Sequence, residues 1–228
     1  MSKLRFATFG ASPALTYARN QLESWGYPIC TDPMQANHVL LPVPSGSVAE
    51  ALPPLASDTV VYGGNLADPG YPFVDLLQDP YYLNENAAIT AQCALHYGNI
   101  RPEIPVLVIG WGRIGKHLAA LLAESGTNVT VAVRKEQDLH ALQTLGFSAC
   151  LLPQLQARQY AVIFNTAPAP ILHQQDCKEN ATLVDLASTP GIIGPNVIWA
   201  RGLPGKDAPE RSGNLIAKTV LRYALGKE

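Results

Sequence analysis

Charge is scarce in this sequence, and the charges that are present nearly cancel. Only 15% of the 228 residues are Asp, Glu, Lys or Arg, and 16 basic against 18 acidic residues leave a formal net charge of −2. Proteins that bind nucleic acid through its phosphates need an excess of basic residues. We therefore expect no nucleic acid partner.

Long apolar runs and paired cysteines are also missing. Stretches such as 39–43 and 106–109 are much shorter than the roughly 20 residues that cross a bilayer. The first residues contain no apolar segment typical of a secretion signal. The four cysteines form no Cys-x-x-Cys pair, which argues against a zinc site or a disulfide framework. We expect a cytoplasmic protein with reduced thiols, no metal site and no membrane contact.

The charges are divided unevenly along the chain. Residues 1–97 carry three basic and eight acidic residues, a net charge of −5, whereas residues 98–228 carry 13 basic and ten acidic residues, a net charge of +3. Such an asymmetry suggests two halves with different roles.

Apolar runs alternate with helical patterns, which is typical of a parallel sheet flanked by helices. Strands are predicted at 4–9, 28–30, 38–43 and 59–62, and in the second half at 106–109, 129–133, 161–165, 182–186 and 196–200. Helices are predicted at 13–25, 84–99, 114–125, 138–145 and 209–225. The sequence therefore predicts an α/β protein.

Glycine and proline are plentiful, with 18 and 19 residues, and many of them follow predicted strands. The clearest case is the run Gly110, Trp111, Gly112, Arg113, Ile114 and Gly115, between a strand and a helix. In a dinucleotide site the first glycine of such a run permits the tight turn, the second admits the pyrophosphate and the third lets helix and strand pack closely. The run predicts a cofactor site at the helix N-terminus; the alternative is a glycine turn of purely structural use.

The end of the next strand bears on which dinucleotide binds. A free 2′-hydroxyl is usually held there by an acid, whereas a 2′-phosphate needs cations. This strand ends with Arg134 and Lys135, and Glu136 follows. Arginine can hold a phosphate through two hydrogen bonds. We therefore predict NADP rather than NAD; the alternative is a solvated charge cluster.

Two further strand ends should complete the cofactor site, because ligands of such sheets lie beyond the carboxyl ends of the strands. The predicted cofactor-binding residues there are Asn165, Thr166, Ala167 and Pro168 after one strand, and Asp185, Leu186 and Ala187 after the next. Proline fixes the backbone where a rigid wall is useful. Asp185 could instead be a simple turn residue.

Several segments together resemble the family of dipicolinate synthase A subunits, which are related to D-2-hydroxyacid and alanine dehydrogenases. They are 110–115, 131–135, 165–168, 184–191 and 202–205, with Ala208, Pro209 and Gly213, and more loosely 41–44, 62–64, Asn86 and Thr90. The resemblance implies a Rossmann-type doubly wound parallel sheet with a second, smaller flavodoxin-like α/β domain. It divides the chain into an N-terminal α/β substrate and catalytic domain (1–97), an NAD(P)-binding domain (98–206) and a C-terminal helix (207–228) that packs back on the N-terminal domain.

The same resemblance implies an NADP-dependent oxidoreductase that acts on a small carboxylate such as dihydrodipicolinate. It implies that a flavin-binding B subunit is the partner, and we expect a homo-oligomer. We expect the substrate to lie in a cleft between the domains, near Pro44, Ser45 and Gly64 as substrate-binding residues and Asn86, Thr90 and Ser188 as catalytic residues.

The chain departs from the family pattern at three positions. Gln92 and Cys93 stand where the family has Glu-Gly, and Thr189 stands where it has Lys or Arg. A cleft that lacks this cation and acid would hold a dicarboxylate differently. Two alternatives therefore stay open: a dehydrogenase of another small 2-hydroxy, 2-keto or amino acid, and a non-catalytic dinucleotide-binding regulatory subunit.

Overall fold

A computed structural model describes residues 4–226, which divide into two units. Unit 1 combines the chain up to Asn86 with the chain from Pro204 onward, and unit 2 is Ala87–Leu203. Helix α2 (Pro80–Gly98) begins in unit 1 and continues into unit 2, so the first boundary falls inside a helix and not at its end. Helix α5 (Leu203–Asp207) lies at the second boundary, and helix α6 (Pro209–Ala224) belongs to unit 1.

Unit 1 contains a parallel sheet of four strands. They are β1 (Phe6–Thr8), β2 (His38–Leu40), β3 (Val60–Gly63) and β4 (Phe73–Asp75), in the order β1-β2-β3-β4. Ile29 adds an isolated parallel bridge to Phe6. With that segment counted as the second strand in chain order, the order is 2-1-3-4-5, which is that of flavodoxin. The predicted flavodoxin-like fold is confirmed.

Helix α1 (Pro13–Ser24) starts as its sequence predicts, with the Ser12 hydroxyl accepting a hydrogen bond from Leu15 N–H at 3.1 Å and proline in the first turn. Helix α6 packs against α1 within unit 1. A Cβ atom on Gly213 would lie 2.4 Å from the Ala14 carbonyl oxygen, so only glycine permits this close helix contact.

Unit 1 differs from the predictions in four places. The strand predicted at 28–30 is reduced to the single bridge at Ile29. The strand predicted at 38–43 ends at Leu40, because Pro42 and Pro44 have no N–H to donate to a neighbouring strand. Strand β4 was not predicted, and α2 begins four residues before the predicted start at 84.

Unit 2 contains a parallel sheet of six strands in the order β12-β10-β8-β5-β6-β7. Four central strands are β5 (Val106–Ile109), β6 (Val129–Val133), β8 (Val162–Asn165) and β10 (Thr182–Asp185), and the edges are β7 (Ser148–Leu151) and β12 (Ile198–Trp199). Numbered within the unit, this is the doubly wound 3-2-1-4-5-6 order of a Rossmann sheet. The predicted Rossmann-type fold is confirmed.

Helices α3 (Arg113–Glu124) and α4 (Glu136–Thr144) connect the first three strands of unit 2. Two strands outside the main sheet, β9 (Leu172–His173) and β11 (Ile192–Ile193), pair with each other in parallel. Strands β7, β9 and β11 were not predicted. The predicted strand at 196–200 is only two residues long in β12.

Candidate functional site

The turn between β5 and α3 requires glycine at its first and third glycine positions. Gly110 has φ +100°, a conformation that favours glycine. A Cβ atom on Gly115 would lie 2.2 Å from the Gly110 carbonyl oxygen, so a side chain there would push the helix away from the strand. The Thr166 hydroxyl fixes the same turn by donating a hydrogen bond to the Ile109 carbonyl at 2.8 Å.

The second glycine borders open space. A Cβ atom on Gly112 would meet no atom within 4 Å. Gly112 is also the N-cap of α3, and no side chain there accepts a hydrogen bond from the first-turn N–H groups. Such N–H groups and the positive end of the helix dipole bind anions. This end of α3 therefore fits the pyrophosphate of a dinucleotide.

The other residues of the glycine-rich turn have different surroundings. Trp111 packs edge-to-face against Phe147, with ring centroids 5.7 Å apart, and the Lys116 ammonium lies 5.8 Å from the Trp111 ring centre. Ile114 is half-buried and Arg113 is exposed. The Trp111 side chain therefore anchors the turn to the segment between α4 and β7, which contains Phe147.

Two exposed cations follow β6. Among residues 4–226, neither Arg134 nor Lys135 forms an ion pair. Glu136, whose charge complicates the choice of cofactor, lies in the first turn of α4. An acid there interacts favourably with the N-terminal end of the helix dipole. The position of Glu136 thus has a local explanation, and Arg134 is left available to a ligand.

The ends of β8 and β10 are joined by the side chains of Asn165 and Asp185, both of which are fully buried. The Asn165 amide donates to the Asp185 carboxylate at 2.9 Å and to the Ala167 carbonyl at 3.0 Å. The Asp185 carboxylate also accepts hydrogen bonds from the backbone N–H groups of Ala187, Gly191 and Ile192, at 3.0, 2.6 and 2.8 Å. These two predicted cofactor residues thus direct their side chains into the loops of the protein.

The tips of both loops are exposed, while their bases are buried. Pro168, Ser188 and Thr189 are exposed, whereas Leu186 and Ala187 are buried. Sequence reasoning missed Trp199 as part of this region, whereas Gly191 belongs to the segment 184–191 that carries the family resemblance. The Trp199 indole donates a hydrogen bond to the Ala187 carbonyl at 3.0 Å. Asp185 with Ala187 forms an Asx-turn, which agrees with the alternative interpretation of Asp185 as a turn residue.

The predicted substrate residues of unit 1 are partly brought together. Ser45 is buried, and its hydroxyl donates to the Pro42 carbonyl at 2.8 Å and accepts from Gly64 N–H at 3.0 Å. A Cβ atom on Gly63 would lie 2.2 Å from the same hydroxyl oxygen. Pro44 is exposed and follows a cis peptide bond. Ser45 and Gly64 therefore hold the loop after β2 to the end of β3.

Two predicted catalytic residues lie on α2. Asn86 is half-buried and Thr90 is buried, one helical turn further along. Residues four apart in a helix share a face. Of the three residues that depart from the family pattern, Gln92 and Cys93 also lie on α2; Gln92 is exposed and Cys93 is buried.

Two further features concern metal binding and membrane insertion. Within residues 4–226 no group of His, Cys, Asp and Glu is arranged to hold a metal ion, and the cysteines are not joined by disulfides. None of the helices in this range has the length and apolar character needed to cross a membrane.

A polar cavity of about 570 Å³ is lined by Arg158, Lys178 and Asn180, among others. It lies at the amino end of β10, opposite the edge that carries the glycine-rich turn.

The fold and this sheet edge define a class: an α/β protein with a flavodoxin-like unit and a Rossmann unit whose glycine-rich turn fits a dinucleotide. No family model and no curated protein matches the sequence. Among solved structures, the fold is similar to the dipicolinate synthase A subunit from Bacillus halodurans, with a TM-score of 0.81 and 18% identity over 97% of each chain. It is also similar to the corresponding dipicolinate synthase structure from Bacillus subtilis, with a TM-score of 0.79 and 19% identity over 100% of this chain and 97% of that one.

A transhydrogenase from Sinorhizobium meliloti shares the fold more distantly. Its TM-score is 0.68 and its identity 12%, over 97% of this chain and 94% of the transhydrogenase chain. The resemblance inferred from the sequence motifs is therefore confirmed at the level of the fold.

Proposed function

We propose that this protein is an NADP-dependent oxidoreductase that acts on a small carboxylate. The observation that carries the proposal is the turn between β5 and α3. It combines an uncapped helix N-terminus, open space at Gly112 and a backbone contact that excludes any side chain at Gly115. The solved structures of similar fold, which include those of a transhydrogenase and of dipicolinate synthase, support the oxidoreductase class.

The preference for NADP rests on Arg134 and Lys135. Both side chains are exposed at the carboxyl end of β6, where the adenine ribose of a dinucleotide lies in this fold. The next acid in the sequence, Glu136, lies in the first turn of α4, where the helix dipole favours it. Arg134 would hold the 2′-phosphate through paired hydrogen bonds.

The nicotinamide ring of NADP supplies the hydride chemistry when it is bound. The residues of the chain then have to hold the ring and orient the substrate. The exposed loop tips after β8 and β10, with Pro168 and Ser188, would border the ring. Asn86 and Thr90 offer hydrogen-bonding groups for a carboxylate or an imine. We propose a small dicarboxylate such as dihydrodipicolinate as the substrate, with another 2-hydroxy, 2-keto or amino acid as the alternative.

Nucleotide binding tests the cofactor assignment directly. Purified protein is titrated with NADPH and with NADH while the nicotinamide fluorescence is followed. We expect Arg134→Asp to weaken NADPH binding by at least about tenfold, because it replaces a phosphate-binding cation by an acid, and to change NADH binding much less. Lys178→Asp is the matched control, since it makes the same charge change at the opposite edge of unit 2.

The outcomes separate the parts of the proposal. Tighter binding of NADH than of NADPH to the unaltered protein would contradict the NADP preference. If Arg134→Asp weakened the binding of NADPH and NADH equally, the role of Arg134 would be refuted. Binding of neither nucleotide would contradict the proposed function as a whole.

A non-catalytic regulatory role is the second candidate, and the residue at position 189 favours it. Thr189 lies exposed in the loop after β10, where the resembling family has a cation that could hold a substrate carboxylate. We propose self-association and a flavin-binding partner protein for either candidate. Nucleotide binding without hydride transfer to any small carboxylate, in the presence of a flavin-binding partner, would favour the regulatory role.

A further inference from the structure

Asp185 is a buried carboxylate that is not neutralised by a cation. It is 0% exposed, and within residues 4–226 it forms no ion pair with Lys or Arg. Burying such a group is costly unless hydrogen bonds satisfy its oxygens. Each oxygen of Asp185 accepts two hydrogen bonds: Oδ1 from the Asn165 amide and Ala187 N–H, and Oδ2 from Gly191 N–H and Ile192 N–H. All four partners are donors, so the site fits a group that only accepts.

Three of these four donors are backbone groups of one loop. The chain leaves β10 at Asp185, reaches its exposed tip at 188–190 and returns to the same carboxylate at Gly191 and Ile192. The tip is therefore fixed at both of its ends by one side chain. Charge-assisted hydrogen bonds of this kind are stronger than bonds between neutral groups.

The loop after β8 is fixed to the same point. Asn165 bonds to both backbone groups of Ala167, at 3.0 Å and 3.1 Å, as well as to Asp185. The Gly191 carbonyl accepts hydrogen bonds from Ile171 N–H and Leu172 N–H, at 2.8 and 3.1 Å. A Cβ atom on Gly191 would lie 2.7 Å from the Ala169 carbonyl oxygen. The two loops thus form one continuous hydrogen-bonded platform with two exposed tips, at 168–170 and 188–190.

The platform lies beside the proposed cofactor site but away from its adenine end. In this fold the turn after β5 binds the pyrophosphate and the end of β6 holds the adenine ribose. The nicotinamide half then extends over the ends of β8 and β10, on the other side of β5. The tips at 168–170 and 188–190 are exposed at these strand ends.

We propose that Asp185 is a positioning residue that sets these two tips for the nicotinamide ring and does not itself contact the dinucleotide. This inference rests on the proposed function. Its carboxylate determines where the loop with Ser188 and Thr189 stands, and through Asn165 it determines where the loop with Pro168 stands. Binding of the adenine half depends instead on the glycine-rich turn and Arg134.

The isosteric variant Asp185→Asn tests the role, because it places an NH₂ donor against N–H donors without changing the shape of the side chain. Dissociation constants are measured for NADPH and for 2′-phospho-ADP-ribose, which lacks nicotinamide. We expect NADPH to bind about tenfold more weakly, while the affinity for 2′-phospho-ADP-ribose is unchanged. Asp176→Asn, the same change at an exposed residue of unit 2, should alter neither affinity.

Hydrogen exchange of the protein without nucleotide provides a second measurement. The amide groups of Gly191 and Ile192 should exchange faster in Asp185→Asn than in the unaltered protein, because their acceptor is replaced. Should Asp185→Asn fail to fold, Asn165→Ala replaces it. That variant removes the link between the loops, keeps the three backbone bonds to Asp185, and should lower NADPH affinity in the same selective way.

Each result has a distinct meaning. If the unaltered protein binds neither nucleotide, the proposed function fails, and the inference fails with it. If the unaltered protein binds both and Asp185→Asn binds both equally well, only the inference is overturned. Equal weakening of NADPH and 2′-phospho-ADP-ribose would also overturn it, because the effect would then not be confined to the nicotinamide half.

Discussion

Two glycines in the same turn face different physical constraints. A Cβ atom on Gly115 would lie 2.2 Å from the Gly110 carbonyl oxygen. Gly112, in contrast, has φ −79° and open space around it. Gly115 is needed by the fold, and we propose that Gly112 is needed by the dinucleotide. Substitution of each by alanine separates the two requirements.

We expect Gly115→Ala to lower the free energy of unfolding by about 1–3 kcal/mol, because backbone atoms must move apart. Gly112→Ala should keep the free energy of unfolding, because alanine adopts this conformation, yet weaken NADPH binding at least about tenfold, because a Cβ would occupy the place of the pyrophosphate. Urea denaturation and NADPH titration of both variants measure these effects. A stable Gly115→Ala, or a Gly112→Ala that binds NADPH normally, would contradict the assignment of these roles.

His38 is a buried histidine of unit 1, and we expect it to make the stability of that unit depend on pH. It is 8% exposed, its Nδ1 lies 3.0 Å from the Tyr62 hydroxyl, and its ring centroid lies 5.1 Å from that of Phe6. Burial lowers the pKa of His38 below its ordinary value of 6.5. Burial also raises the pKa of Tyr62, so the phenol keeps its proton at neutral pH.

Because the pKa of His38 is lower in the folded protein, the unfolded chain binds a proton first as the pH falls. The stability is fully present above pH 6.5 and decreases as the pH falls from there toward the lowered pKa. We expect His38→Gln to lose this part of the pH dependence, and His140→Gln, at an exposed position, to retain it. Urea denaturation on either side of the ordinary histidine pKa measures both, and an unchanged profile in His38→Gln would contradict the prediction.

At the scale of elements, the start of α2 is joined to the end of α6 by a buried acid. Asp79 is 4% exposed; its Oδ1 accepts a hydrogen bond from Tyr82 N–H, and its Oδ2 pairs with Arg222 and accepts from the Tyr223 hydroxyl at 2.8 Å. Burial alone would raise the pKa of Asp79. The hydrogen bonds from Tyr82 and Tyr223 and the charge of Arg222 outweigh burial, so the pKa is lowered.

We expect Arg222→Gln to reduce the free energy of unfolding by about 1–2 kcal/mol at neutral pH. The loss is moderate because Arg222 is 29% exposed, so solvent screens the pair, and because Asp79 keeps its other hydrogen bonds. The loss should shrink as the pH falls through the lowered pKa of Asp79, where the carboxylate gains a proton. Thermal denaturation at several pH values measures these losses. Lys218→Gln, at an exposed position on the same helix, is the control. An equal loss of stability in Lys218→Gln would argue against the ion pair.

The elements predicted well are those with strong local patterns, and the missed ones lack them. The apolar run of β5 indicates a buried strand, and the amphipathic pattern of α3 indicates a helix. Strand β4 is three residues long and follows a passage rich in proline and glycine, and β7 begins with an exposed serine at a sheet edge. The early start of α2 could have been predicted, because Asp79 before Pro80 has the form of an N-cap followed by proline.

The site divides in the same way. The glycine-rich turn depends on residues within six positions of each other, so its spacing could be read. The bond between Asn165 and Asp185 joins residues 20 positions apart and exists only because β8 and β10 are neighbours. The sequence therefore indicated that both residues matter, but not that their side chains serve each other.

At the scale of the whole molecule, the fold is shared with proteins of very different sequence. The similar solved structures are 12–19% identical to this chain and yet match it over almost its full length. Such folds support many reactions, so the chemistry has to be argued from the residues at the strand ends. Here those residues are Arg134, the platform around Asp185 and Thr189.

Unit 1 is built from two separate segments of the chain, and this affects the order in which the two units can fold. Unit 1 needs α6, which follows all of unit 2 in the chain. A ribosome therefore completes every element of the Rossmann unit before it supplies the helix that covers α1. Since domains fold as units during translation, the Rossmann unit can fold first, and α1 of the nascent flavodoxin-like unit stays uncovered until α6 emerges.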